Sequence, residues 1–370
     1  MKHISLLIKP ASSNCNMRCS YCFYFGDVEK RAVQSYGMMS RDTIETIVRT
    51  FLDRAEESCF FGFQGGEPML AGLAFFQYVV ELQQKYNHKG ITITNALQTN
   101  GTLLDDTWAA FLAENKFLVG VSLDGYAGMQ NLYRRDAKGN PTYDRVMRGI
   151  SALKRSGAAF NILSVVTTQT AKHIREIYRF FMAEELVYQQ YIPCIEPYGE
   201  HPDKRRYSLS PQEYARFLRE LFDLWYRDRI AGRFVYNRYF ENLAGILSGY
   251  APESCDMNGI CSLQYIFEAD GGVYPCDFFM FDECRLGNIN TDSLEAIDSR
   301  REQIRFIKRS AALAKRCGSC RWLSVCRGGC YRYRYGEQGL YYYCETMQAV
   351  LPYIVPKLMT LIPPNETPDS

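Results

Sequence analysis

Over its first two hundred residues the chain alternates short runs of β-branched and aromatic residues with longer stretches whose apolar positions recur every three or four residues. The short runs predict strands from Ser5 to Ile8, Phe60 to Gln64, Ile91 to Thr94, Leu118 to Ser122, Ile162 to Thr167 and Tyr188 to Ile192. Between them, helical periodicity covers Arg41 to Arg54, Leu73 to Lys85, Thr107 to Glu114, Tyr143 to Arg155 and Ala171 to Glu185. Alternation of this kind implies parallel strands joined by right-handed crossovers. Six such units are too few to close an eight-stranded barrel, so the expected fold class is α/β with a partial (β/α)6 barrel. Active sites of βα barrels are built on the loops at the C-terminal strand ends. From Pro211 to about Tyr250 the pattern is helical, and beyond it cysteines crowd together.

Composition narrows the class further. The 370 residues are 47% hydrophobic, enough for a sizeable core across two or three domains. A net charge of +2 gives no electrostatic case for nucleic acid or an anionic membrane as partner. Lys204-Arg205-Arg206 and Arg300-Arg301 read as solvated surface. The apolar run within Met1 to Lys9 is too short for a signal peptide, and no later segment has spanning length, so a cytoplasmic location is expected. In that reducing compartment the fourteen cysteines read as metal ligands rather than disulfides. The polar, proline-rich segment from Pro363 to Ser370 is expected to fray.

Cys15, Cys19 and Cys22 form a C-x3-C-x2-C run directly after the first strand, where a βα barrel places its chemistry. An electron-transfer iron–sulfur cluster uses four thiolates. A compact triad leaves one iron of a four-iron cluster open, and the amino and carboxylate groups of S-adenosylmethionine (SAM) can chelate it. Zinc, the competing reading, prefers four closed ligands in structural sites. The spacing resembles the radical SAM superfamily. Gly65-Gly66-Glu67-Pro68 after the second strand resembles that superfamily's GGEP motif, whose backbone holds the SAM amino group. The resemblance further implies ribose contacts from Ser122 and Asp124, a SAM carboxylate partner in Arg134, and cofactor contacts at Tyr21 and Ile195.

The second half carries Cys255, Cys261 and Cys276, then Cys317, Cys320, Cys326 and Cys330, and finally Cys344. This pattern resembles the SPASM extension of peptide-modifying radical SAM enzymes. The resemblance implies two auxiliary four-iron clusters with interleaved ligands: Cys255, Cys261, Cys276 and Cys330 for one, Cys317, Cys320, Cys326 and Cys344 for the other. Spacing alone does not reveal that interleaving, and zinc remains an alternative for Cys317 to Cys330. Cys59, Cys194 and Cys284 read as buried small hydrophobes. The corresponding domain division is 1–235 for the barrel with its following helix and 236–370 for the auxiliary region and C-terminal helix.

Longer blocks narrow the resemblance. Leu6-Leu-Ile-Lys-Pro-Ala-Ser, Phe63-Gln-Gly-Gly-Glu-Pro, Leu97-Gln-Thr-Asn-Gly-Thr, Tyr274-Pro-Cys-Asp-Phe and Arg285-Leu-Gly-Asn-Ile are similar to the anaerobic sulfatase-maturating enzymes. These are radical SAM enzymes that oxidise a Cys or Ser of a sulfatase precursor to formylglycine. The resemblance implies SAM and three 4Fe-4S clusters, a Cys-x-Pro-x-Arg substrate and a flavodoxin- or ferredoxin-like electron donor. It also implies Asp277 as catalytic base. A carboxylate of pKa about 3.9 and a thiol of about 8.5 differ by roughly 5 units, about 6 kcal/mol uphill. Hydrogen-atom loss from Cβ should therefore come first and acidify the thiol. Two other classes stay open at this point: a SPASM enzyme installing thioether or carbon–carbon links, and a nonenzymatic iron–sulfur carrier. Only fourteen residues precede Cys15, so the added leader-binding domain of many crosslinking enzymes is not expected here, which weighs against that class without excluding it, and an electron carrier has no use for an open cluster.

Overall fold

The structure, a computed structural model, describes residues 1–202, 205–336 and 338–362; Lys204 and the expected frayed tail from Pro363 lie outside them. The chain forms two compact units. The first comprises Met1–Leu163, Glu196–Glu200 and Leu263–Arg305; the second comprises Ser164–Ile195, His201–Ser262 and the chain from Phe306 onward.

In the first unit β1 (His3–Ile8), β2 (Ser58–Phe63), β3 (Thr92–Thr99), β4 (Leu118–Ser122) and β5 (Phe160–Val166) pair in parallel in chain order. Alternation turns Ile4, Leu6 and Ile8 of β1 inward. Helices fill the crossovers. Ser40 caps the first of these, Arg41–Arg54, by accepting from the Thr43 amide, and Ile44, Ile47, Val48, Phe51 and Leu52 form its buried face. Burying such a side chain is worth roughly 1.5–3 kcal/mol. This stripe, rather than the helix's intrinsic propensity, holds it on the sheet.

The second unit contains β6 (Tyr188–Pro193) paired in parallel with β7 (Tyr236–Asn237). The long helical region expected from Pro211 is two helices, Pro211–Ile230 and Arg238–Leu247. Ser210 and Glu213 form a capping box at the start of the first, and Asn237 caps the second. The single helix expected over Ala171 to Glu185 is likewise broken, into Thr168–Lys172 and Ile174–Ala183. Thr167 opens the earlier piece by capping the Thr170 amide, and His173, at ψ 19°, leaves the helical conformation between the two.

The chain then completes the first unit. β8 (Tyr265–Phe267) pairs in parallel with β1, and β9 (Gly272–Tyr274) runs antiparallel to β8 and pairs with β10 (Gly287–Asn288). Phe51 packs on Tyr265 and Phe267 with ring centroids 4.8 and 5.5 Å apart, so helix Arg41–Arg54 covers the β1–β8 junction. In the second unit a short hairpin, β11 (Arg334–Tyr335) with β12 (Leu340–Tyr341), leads into helix Cys344–Met359, which packs along Pro211–Ile230.

Candidate active site

The triad loop leaves the C-terminal end of β1 and is held from two sides. The Gly66 amide donates to the Ser12 carbonyl at 2.9 Å and the Glu67 amide to the Asn14 carbonyl at 2.7 Å. A Cβ at Gly66 would lie 2.0 Å from the Asn14 oxygen, so glycine is required for two backbones to touch here. On the other side the Arg18 amide donates to Arg135 O at 2.8 Å and the Ser20 amide to Tyr133 O at 3.0 Å, which brings Arg134 alongside the loop. Burial pushes the Cys15 thiol up to about 11 and Cys19 up to about 12. Thiols so placed ionise readily only against a cationic metal centre, which makes the three a fitting donor set for an iron cluster.

Glu67 is fully buried. Its carboxylate accepts from the Met69 amide at 3.1 Å, Thr99 Oγ1 at 2.8 Å and the Asn100 amide at 2.7 Å, tying the GGEP turn to the end of β3. Burial raises its pKa to about 7 despite those donors. Any contact this motif makes to a ligand therefore falls to its backbone. Asp124 accepts from the Tyr21 hydroxyl and from Arg134 Nε at 3.0 Å, so Tyr21, Asp124 and Arg134 form one buried group beside Cys19. Ser122, at the end of β4, accepts from Gln98 Nε2 at 3.3 Å. Ile195 is buried in the second unit, just beyond β6.

Asp277 follows Cys276 on the loop after β9. Its Oδ1 pairs with Lys9 Nζ at 2.8 Å, and its Oδ2 accepts from the Tyr24 hydroxyl and from Gln64 Nε2 at 3.0 Å. Lys9 is 4% exposed and Asp277 12%. Lys9 also lies 4.1 Å from the Tyr24 ring centroid. Burial, then the Asp277 charge, hold the Tyr24 phenol well above its ordinary range, so it stays protonated and donates. The sequence reading assigned no role to Lys9, Tyr24 or Gln64. Lys9 and Gln64 nonetheless stand inside the quoted blocks Leu6 to Ser12 and Phe63 to Pro68, and Tyr24 stands two residues past the triad. The backbone bond from the Lys9 amide to Phe267 O, 2.9 Å, sets the register that brings β1 and the Asp277 loop together. A cleft lined by Arg49, Tyr86, His88 and Glu295 among others shares no residue with this chemistry.

In the second unit the thiols of Cys317, Cys320 and Cys344 act electrostatically on Cys326, while Cys255 and Cys261 act on Cys330. Within this unit Cys317, Cys320, Cys326 and Cys344 thus form one electrostatic neighbourhood and Cys255, Cys261 and Cys330 another. Cys276 belongs to the first unit. Arg334 binds the loops together: its guanidinium donates to the carbonyls of Gly259, Ser310, Ala312, Gly328 and Gly329 at 2.6–3.1 Å. Among the described residues no three His, Cys, Asp or Glu groups converge closely enough for a single metal ion. Cys59, Cys194 and Cys284 are buried at 0%, 4% and 7% exposure.

Residues 10–181 match the radical SAM superfamily, and residues 260–321 match an iron–sulfur cluster-binding domain, SPASM. A cysteine-type anaerobic sulfatase-maturating enzyme of Clostridium perfringens is 45% identical over 98% of this chain and 99% of its own. A serine-type enzyme of Bacteroides thetaiotaomicron is 32% identical over 95% and 91%. The solved structure described as native anSMEcpe with bound AdoMet and Cp18Cys peptide superposes with a TM-score of 0.92 at 44% identity, covering 97% of this chain and 99% of that one. Streptococcus suis SuiB, at 17% identity and a TM-score of 0.64, shares the fold.

Proposed function

The chain belongs to the anaerobic sulfatase-maturating enzymes of the radical SAM superfamily, and on that premise we propose that it oxidises a cysteine of a sulfatase precursor to formylglycine. The observation that carries the reading is the buried Lys9–Asp277–Tyr24–Gln64 group on an otherwise SAM-type barrel. SAM on the Cys15–Cys19–Cys22 cluster supplies a hydrogen-abstracting 5′-deoxyadenosyl radical when bound, and two auxiliary clusters supply an electron sink. Cys15, Cys19 and Cys22 would hold the first cluster. Cys255, Cys261, Cys276 and Cys330 would hold one auxiliary cluster, and Cys317, Cys320, Cys326 and Cys344 the other.

The remaining chemistry belongs to Asp277. A carboxylate offers about four acceptor sites. Lys9, Tyr24 and Gln64 engage three directions around it. What remains is left for a substrate thiol, and the three donors fix the carboxylate's orientation so that the proton goes to one oxygen lone pair. Loss of the Cβ hydrogen acidifies the thiol, Asp277 takes its proton as the second electron leaves, and water then hydrolyses the thioaldehyde. Gly65, Gly66 and Glu67, through their backbone, and Tyr21, Ser122, Asp124, Arg134 and Ile195 are assigned to SAM. Cysteine is favoured over serine because a thiol surrenders its proton far more easily. Among the described residues no helix is long and apolar enough to cross a membrane, and we place the enzyme in the cytoplasm.

The test is anaerobic incubation with SAM, reductant and an unfolded Cys-x-Pro-x-Arg peptide deuterated at the target Cβ. Formylglycine and deuterium in 5′-deoxyadenosine are expected. Deuterium transfer with a thioether product would place the chain among crosslinking enzymes.

A further inference from the structure

Between Phe306 and Gly336 the chain carries eight arginines and lysines and no acidic residue, although its net charge over 370 residues is only +2. This stretch encloses Cys317, Cys320, Cys326 and Cys330. Arg332 is buried and Arg334 is committed to backbone carbonyls. Lys308, Arg309, Lys315, Arg316 and Arg321 are exposed, and none has a carboxylate partner among the described residues. Lys315, Arg316 and Arg321 lie within two residues of Cys317 or Cys320, both of them partly exposed thiols. Arg316 also acts electrostatically on Cys344. Gln348, itself exposed, donates to Cys320 Sγ at 3.1 Å, so this thiol meets the protein surface. Glu345, the acid adjoining Cys344, is engaged by Gln212 at 3.2 Å.

A solvated cationic face concentrated over a redox site does two things. It steers an oppositely charged partner toward that site, and it orients the encounter so that the partner's own redox centre faces the cluster. We propose that Lys315, Arg316 and Arg321 form the docking surface for an acidic one-electron carrier protein of the flavodoxin type, seated over the Cys317–Cys320–Cys326–Cys344 site. In the exchange one electron passes from the reduced cluster to the oxidised flavin of the carrier; no bond breaks and no proton moves at the surface. The electron released by substrate oxidation thereby has a defined way out. This inference rests on the reading of those four cysteines as a cluster site.

The experiment measures binding of oxidised flavodoxin to the reconstituted enzyme at 50 and 300 mM NaCl, with basic cytochrome c as the charge-reversed control. Iron content and the auxiliary-cluster signals are recorded on the same samples. Wild-type enzyme should bind flavodoxin more weakly at high salt and should not bind cytochrome c. The triple variant Lys315→Glu/Arg316→Glu/Arg321→Glu should weaken flavodoxin binding about tenfold or more at low salt, flatten the salt dependence and keep its iron. Should that variant lose iron, the double variant Lys315→Glu/Arg321→Glu, which leaves the cation beside Cys344, carries the comparison. Unchanged affinity at 50 mM NaCl would overturn the proposal, as would an equal loss in the charge-matched variant Arg148→Glu/Lys172→Glu/Arg179→Glu, all three outside the 306–336 stretch. A wild-type protein without iron at these cysteines would instead refute the cluster reading, and the binding measurement would still stand on its own.

Discussion

Asp277 shows how one side chain acquires a role from its neighbours. An aspartate beside a cysteine in a turn is ordinarily a cap or turn residue. Here three donors converge on its carboxylate from β1, the triad loop and the end of β2. Asp277→Asn keeps the shape but removes the basicity, so peptide oxidation should fall about 10² to 10⁴-fold while SAM cleavage and iron content persist. Single-turnover product formation alongside 5′-deoxyadenosine release measures both, and near-normal oxidation would remove Asp277 from the mechanism. The sequence pointed to Asp277 only through the Tyr-Pro-Cys-Asp block. Its partners were not legible, because Lys9 reaches it through strand register across more than 250 residues and no local pattern encodes that. Glu67 carries a different lesson. Read as part of a ligand-binding motif, its side chain is in fact consumed by the protein's own amides and Thr99. Its raised pKa of about 7 means that the folded state binds a proton the unfolded chain has lost. Its contribution to stability is therefore greatest below about pH 4.5 and declines as pH rises through about 7. Denaturation of the reconstituted enzyme between pH 5 and 8 should show this decline, and Glu67→Gln should flatten it at the cost of the hydrogen bond from the Asn100 amide.

At the scale of elements, the strands and helices of the first unit were legible because each has a buried face written in a single period. Arg41–Arg54 and Leu118–Ser122 have the boundaries that their patterns indicate. β3 runs on to Thr99, well past the apolar run, because pairing with β2 and β4 continues through polar Asn95 and Gln98. The break at His173 was hidden because the apolar positions continue on both sides of it. What no periodicity describes is the close crossing of two loops. Gly66→Ala would drive a methyl group into the Asn14 carbonyl, and the triad loop would have to move. We expect loss of SAM cleavage with the auxiliary clusters intact, read as a selective change in the cluster spectra. Arg334 performs a comparable task in the second unit, where five carbonyls surround one guanidinium. Arg334→Met should leave those carbonyls without a donor and deplete iron from the auxiliary sites selectively. Each lost charge-assisted bond costs about 1.5–3 kcal/mol.

For the whole molecule, the assignment of eleven cysteines to a set of three and two sets of four comes from the family resemblance, and their spacing by itself carries no sign of it. Spacing could not pair Cys330 with Cys255 and Cys261 rather than with Cys326, since Cys326 is four residues away and Cys255 seventy-five. The structure separates them because Arg327 to Gly329 turn sharply, with φ of 54°, 78° and 61°, and carry Cys330 away from Cys326. The division expected at residue 235 puts barrel and auxiliary region in consecutive stretches, while the chain beyond it returns to pair β8 with β1. Metal content tests the arrangement as a whole. Reconstituted enzyme should hold about twelve irons, and replacing Cys15, Cys19 and Cys22 by Ala should remove about four while the auxiliary signals remain. On the assignment of separate ligand sets the losses should be separable, with Cys317→Ala/Cys320→Ala removing a different four. Stoichiometric zinc with only about four irons would mean that the second half of the chain is a structural zinc module. The second electron would then have no cluster to leave through, and the base at Asp277 would stand without the oxidant that its chemistry requires.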